Sequence, residues 1–148
     1  DPSRLIFGKR LSKSEYLARY RVANLFLDTH PYNAGTTASD ALRMGLPVLT
    51  YLGSSAVSRH AASILTALNL PELITTTLEE YESLAIELAT DPKKLKLIKD
   101  KLVGNLSTAP LYDTSLFAKN LESAYSMMYD RYQRGLDPDH IYAESIKI

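Results

Sequence analysis

Three features of this sequence predict a doubly wound α/β fold, in which helices cover both faces of a parallel sheet. Short apolar runs without polar alternation, such as Leu25-Phe26-Leu27 and Pro47-Val48-Leu49-Thr50, mark strands buried on two faces. Segments with helical periodicity separate these runs, and strands alternating with helices imply parallel pairing through crossovers. Gly, Pro, Asn and Asp gather at the junctions, where the chain must turn.

The first apolar run, Leu5-Ile6-Phe7, follows a turn-like Asp1-Pro2-Ser3 and is expected to be a strand. Ser12-Lys13-Ser14-Glu15 opens a helix that runs to about Arg21, with Ser12 as its cap and Glu15 at the capping-box position. A second strand, Leu25 to Leu27, ends at Asp28. Thr37 to Met44 reads as a short helix stopped by Gly45, and Pro47 to Thr50 as a third strand. Gly53-Ser54-Ser55 leads into a helix from about Val57 to Leu68, and Pro71 to Ile74 reads as a fourth strand. Tyr81, Leu84, Ala85 and Leu88 recur at helical spacing. Asp91-Pro92 breaks that helix before the next, Lys93 to about Val103. A long last helix spans 115–134, with Phe117, Leu121, Ala124, Tyr125, Met128 and Tyr132 along one face, and Gly135 and Pro138 end it. All 148 residues fit one domain. Four strands fall short of the usual ~5–6, so the sheet is expected to begin before residue 1. Its unpaired edge should then favour dimers or aggregates.

Composition narrows the chemistry. Lys plus Arg and Asp plus Glu both number 17, so no global field is available to hold a long nucleic-acid backbone, and any anion site must be local. Without cysteine there is no disulfide framework, thiolate zinc site or cysteine nucleophile, which fits a reducing compartment such as the cytoplasm. Three scattered histidines make no metal-ligand pattern, and no apolar run reaches the ~18 residues of a membrane span. The opening DPSRLIFGKR lacks the apolar core of a signal peptide.

The loop from Asp28 to Gly35 is the richest in chemistry. Ligands of open α/β sheets bind beyond the carboxyl ends of strands, where this loop lies. A helix beginning near Thr36 would point its free N–H groups there. Gly35 permits close backbone approach, Thr36 and Thr37 offer hydroxyls to phosphate oxygens, and Asp40 could accept from sugar hydroxyls. The structural alternative is that Thr37-Ala38-Ser39-Asp40 is itself a capping box and Asn33-Ala34-Gly35 ordinary turn chemistry. Neither a Walker A nor a GxGxxG pattern is present. Upstream, Lys13, Tyr16 and Arg19 fall on about one helical face and would add a cation for phosphate and a ring for stacking on a base; alternatively they form a solvated face with one half-buried tyrosine.

Read together, LFLDT, PYNAGTTASDAL, GLPVLT, the Ser58-Arg59 element before Ala61-Ala62-Ser63, LPELI, EEYESLAIELATD and APLYDTSLFAKNLESAYSMMYDRY resemble the carboxyl-terminal catalytic region of the O-linked N-acetylglucosamine transferases, in bacterial-type form. The resemblance covers almost the whole chain in order and spacing. It implies a GT-B enzyme, with two Rossmann-like domains across a cleft, of which the carboxyl-terminal one binds the donor nucleotide. It further implies metal-free, inverting transfer of N-acetylglucosamine from UDP-N-acetylglucosamine to Ser or Thr of an acceptor protein. Gly35, Thr36 and Thr37 would then hold the diphosphate and Asp40 the ribose. Lys13 would stabilise the leaving phosphate, Tyr16 would stack on the base, Arg19 would lie beside it, and the Leu11 backbone would meet its edge. The animal enzymes carry histidines where this chain has Tyr16 and Gly35, which leaves GDP-fucose as an alternative donor. A second lysine, an acceptor-side histidine and the tetratricopeptide helical repeats that choose substrates would lie before residue 1, so residues 1–148 alone should be inactive. A degenerate interaction module is the remaining alternative, and His60 is expected to tune its loop rather than perform acid-base work.

Overall fold

The computed structural model describes residues 1–143. The chain forms two compact units, Asp1–Thr108 and Ala109–Ile148. In the first, β1 (Phe26–Leu27), β2 (Val48–Tyr51) and β3 (Ile74–Thr75) form a parallel sheet in the order β1-β2-β3. Phe26 is in register with Val48 and Thr50 with Ile74. Helices α1 (Lys13–Arg19), α2 (Thr36–Arg43), α3 (His60–Ala67), α4 (Leu78–Thr90) and α5 (Pro92–Leu106) surround and connect these strands. The parallel α/β class expected from the sequence is therefore the observed one.

The core explains the register. Val48, Leu49 and Thr50 are fully buried, and β2 packs against α2, α3 and α4, whose Ala38, Ala41, Leu42, Leu65 and Leu88 are buried as well. Each buried leucine contributes about 1.5–3 kcal/mol by leaving water. Helix ends are built locally. Gly45 sits at φ +80°, and Leu46 N–H donates to Ala41 O at 2.9 Å while Gly45 N–H donates to Leu42 O at 2.9 Å. This Schellman closure lets α2 turn directly into β2. Asn69, at φ 55°, ends α3 in the same way, with Leu70 N–H on Leu65 O.

Two expected strands differ. Leu5, Ile6 and Phe7 form no strand and are 68%, 91% and 90% exposed. No neighbouring backbone lies beside them among the described residues, and an apolar run without a partner has no ladder to join. Pro71–Leu73 is a 3₁₀ turn rather than a strand, because Pro71 cannot donate to a ladder; pairing begins only at Ile74. The second unit holds α6 (Thr114–Gln133), capped by the Asp113 side chain on Leu116 N–H and closed at Gly135. The helix expected over 115–134 is present, but none of its residues is buried, and Phe117, Tyr125 and Tyr132 stand exposed.

Candidate functional site

The loop from β1 to α2 is built on Asp28. Its Oδ1 accepts from Ala34 N–H at 2.7 Å and Thr29 N–H at 2.9 Å, and its Oδ2 accepts from the Thr50 hydroxyl at 2.7 Å. Tyr81 on α4 donates to the Asp28 carbonyl at 2.9 Å, and Thr75 donates to the Thr50 carbonyl at 2.9 Å. One buried carboxyl group thus ties together the carboxyl ends of two strands and the entry to α2. Asn33, also buried, donates through Nδ2 to Thr29 O at 2.8 Å, and its backbone N–H reaches Val57 O at 3.1 Å. Thr29 donates its hydroxyl to Tyr32 O at 2.7 Å.

The scaffold delivers Gly35 as the N-cap of α2, at φ −99° and ψ −86°. No side chain caps this helix, whereas α1, α4, α5 and α6 are capped by Ser12, Thr77, Asp91 and Asp113. The capping-box alternative for Thr37 and Asp40 is thereby overturned. The helix already begins at Thr36, so Thr37 lies inside it, and Asp40 turns instead toward Lys13. The first-turn amides of α2 keep their donor capacity, with the helix dipole behind them.

α1 closes one side of this terminus. The Tyr16 and Tyr20 hydroxyls are hydrogen-bonded to each other, their rings meet edge-on with centroids 5.2 Å apart, and Tyr20 OH donates to Thr37 O at 3.3 Å. Burial, first, and then the Tyr16 hydroxyl push the Tyr20 phenol well above its ordinary range. Lys13 Nζ lies 3.8 Å from Asp40 Oδ2, with side-chain exposures of 73% and 21%. An open hollow of about 450 Å³ lies between these parts, lined by Tyr16, Tyr20, Tyr32, Asn33, Gly35 and Thr37 among others. A hollow of about 560 Å³ elsewhere, walled by Leu25, Leu27, Ala85, Leu88 and Leu95, offers mainly apolar groups and suits a polar ligand less.

Of the residues singled out in the sequence, Tyr16, Gly35, Thr36 and Thr37 line this hollow, while Lys13 and Asp40 pair with each other one turn into α2, outside its lining. Arg19 and Leu11 do not line this hollow. The Arg19 guanidinium lies over Gly8 and donates to Lys9 O at 2.7 Å, holding the segment that carries Leu11, itself 40% exposed. Sequence reasoning missed Tyr20, Asp28 as organiser of the loop, and Ser58. The buried Ser58 hydroxyl hydrogen-bonds Ser55, and its carbonyl accepts from Gly53 N–H at 3.0 Å. Asp28 left one usable signal, an acidic residue directly after an apolar strand. Among the described residues, no group of three or more acidic or histidine side chains is placed to hold a metal ion, and no helix is long and apolar enough to cross a membrane.

Known proteins resemble this chain along most of its length. The profile of Glycosyl transferase family 41 matches residues 1–121. A UDP-N-acetylglucosamine–peptide N-acetylglucosaminyltransferase of Caenorhabditis elegans is 36% identical over 141 residues, 95% of this chain and 12% of that protein. A probable enzyme of the same name from Arabidopsis thaliana, SEC, is also 36% identical over 141 residues, 14% of its length. In structure, the chain matches a mutant of the Thermobaculum terrenum O-GlcNAc transferase with a TM-score of 0.76 and 34% identity, over 84% of this chain and 24% of that one. It thus spans only about an eighth of the length of these two relatives. The parallel sheet agrees with the carboxyl-terminal half of a GT-B enzyme. The chain belongs to glycosyl transferase family 41.

Proposed function

We propose that this chain is the donor-nucleotide-binding part of an inverting protein O-glycosyltransferase that moves N-acetylglucosamine from UDP-N-acetylglucosamine to Ser or Thr of other proteins. The single observation that carries this reading is the uncapped terminus of α2, with Thr36, Thr37, Lys13 and Asp40 around it. A diphosphate is a natural ligand for free amides at the positive end of a helix. The Lys13–Asp40 pair suits the task because it is loose. At 3.8 Å with a largely exposed lysine, such a pair is worth about 0–1 kcal/mol. An arriving diphosphate can draw the ammonium away at small cost and leave the Asp40 carboxylate to ribose hydroxyls. Tyr16, pinned by Tyr20, offers a ring face for the base, and Arg19 shapes the segment 8–11 whose backbone would meet the base edge.

In the transfer step the anomeric carbon–oxygen bond to the diphosphate breaks as the acceptor oxygen bonds from the opposite face, its proton leaving to solvent or to the departing phosphate. Charge gathers on the departing UDP, where amides, hydroxyls and Lys13 stabilise it without a metal. Losing one such donor costs about 2.7–4 kcal/mol in the barrier. The partners implied are the donor, an acceptor protein, and the amino-terminal catalytic domain and helical repeats of a longer cytoplasmic protein. Titrating UDP and GDP into that longer protein tests the reading. Binding of UDP in preference to GDP, weakened at least tenfold in Thr37→Ala and in Lys13→Ala, is the expected result. Binding of neither nucleotide would leave a non-catalytic interaction module, and preference for GDP would move the donor to a guanine nucleotide sugar.

A further inference from the structure

His60 places its Nδ1 3.7 Å from where a Cβ on Gly35 would stand, just outside the lining of the hollow, and the reading just given leaves it unused. It opens α3, a helix that, like α2, has no side-chain cap. Its ring is exposed and has no hydrogen-bond partner among the described residues. A core role is therefore excluded. The turn that carries it is held on two sides, by Asn33 N–H on Val57 O at 3.1 Å and by Arg59 Nη1 on Gly53 O at 3.2 Å.

Gly35 supplies the second half of the inference. Its φ of −99° lies outside the left-handed region, so the backbone there does not demand glycine. Space does not demand it either: a Cβ built at Gly35 would meet a single neighbour, His60 Nδ1, at 3.7 Å, an ordinary contact. What the missing side chain does is leave open the path between this ring nitrogen and the first amides of α2. An imidazole N–H is a good hydrogen-bond donor to an anionic oxygen.

We propose that His60 is a specificity-determining residue of the donor pocket, which donates a hydrogen bond to the terminal phosphate of the bound nucleoside diphosphate across the gap left by Gly35. The proposal rests on the nucleotide-binding reading above. Calorimetric titration of UDP and of UMP into the longer protein, in wild type, His60→Ala and His60→Gln, tests it. A group that touches only the second phosphate lowers affinity for UDP and spares UMP, whereas a folding defect lowers both. The expected result is at least a tenfold loss of UDP affinity in His60→Ala with UMP binding unchanged, and recovery of most of that loss in His60→Gln, which restores an N–H donor. In the double variant Gly35→His/His60→Ala, an imidazole hung from α2 itself should likewise recover UDP binding. Wild-type UDP affinity in His60→Ala, or an equal loss for UDP and UMP, would overturn the proposal while leaving the pocket in place. A wild-type protein that binds neither nucleotide would overturn the pocket and this proposal together.

Discussion

At the scale of single residues, Asp28 and Tyr20 do more than their positions in the sequence announce. Replacing Asp28 by Ala leaves two loop amides and the buried Thr50 hydroxyl without an acceptor. Such losses cost about 1–3 kcal/mol for each stranded group, so a clear drop in urea midpoint is expected, with nucleotide affinity falling as the loop loosens. Tyr20 makes a pH prediction. Its phenol is raised by burial and by Tyr16, and the Tyr81 phenol is raised by burial and by the charge of Asp28. Both groups hold their protons more tightly when folded than in the unfolded chain, where tyrosine titrates near ~10. The stability they contribute is intact below about pH 10 and is lost as pH climbs toward the folded-state values. Denaturation midpoints measured through the alkaline range should fall above about pH 10, and less steeply in Tyr20→Phe. Thr37 and Asp40 were legible because their chemistry matches their place after a strand, whereas Lys13 follows no strand and only the fold brings its ammonium to Asp40. The sequence hid Tyr20 because a tyrosine one turn beyond Tyr16 reads as packing, and only the fold brings its hydroxyl to the Thr37 carbonyl.

At the scale of elements, local signals were trustworthy where the chain completes a motif within a few residues. Ser12 with Glu15 forms the expected capping box, and Thr77 with Glu80 forms another. The same rule misread Thr37-Ala38-Ser39-Asp40, since a capping pattern cannot tell a helix's cap from its second residue when the preceding glycine can itself serve as N-cap. Strands were less legible. A two-residue strand such as Phe26–Leu27 exists by virtue of its neighbour, and Leu5–Phe7 shows that an apolar β-prone run without one stays unpaired. Gly45 carries the prediction at this scale. Ala in its left-handed conformation costs about 1–2 kcal/mol, so Gly45→Ala should lower the denaturation midpoint accordingly, while the same change at Gly104, in the last turn of α5 and with open space around it, should hold or raise it.

At the scale of the whole molecule, β1 makes its ladder on one side only among the described residues, and its own Leu27 is 54% exposed. Unpaired N–H and C=O groups next to exposed leucine invite another copy. Light scattering on residues 1–148 expressed alone should therefore show mass growing with concentration, and a constant monomer mass would refute the expectation. The loop from β2 into α3 makes a longer forecast. A Cβ at Gly53 would come within 2.3 Å of Ser58 Oγ and 2.6 Å of Ser58 Cβ, so Gly53 cannot gain a side chain while position 58 keeps one. Natural variants should have crossed that barrier in tandem: wherever evolution has put a side chain at 53, position 58 should already have shrunk to glycine, and lineages keeping serine at 58 should never have left glycine at 53.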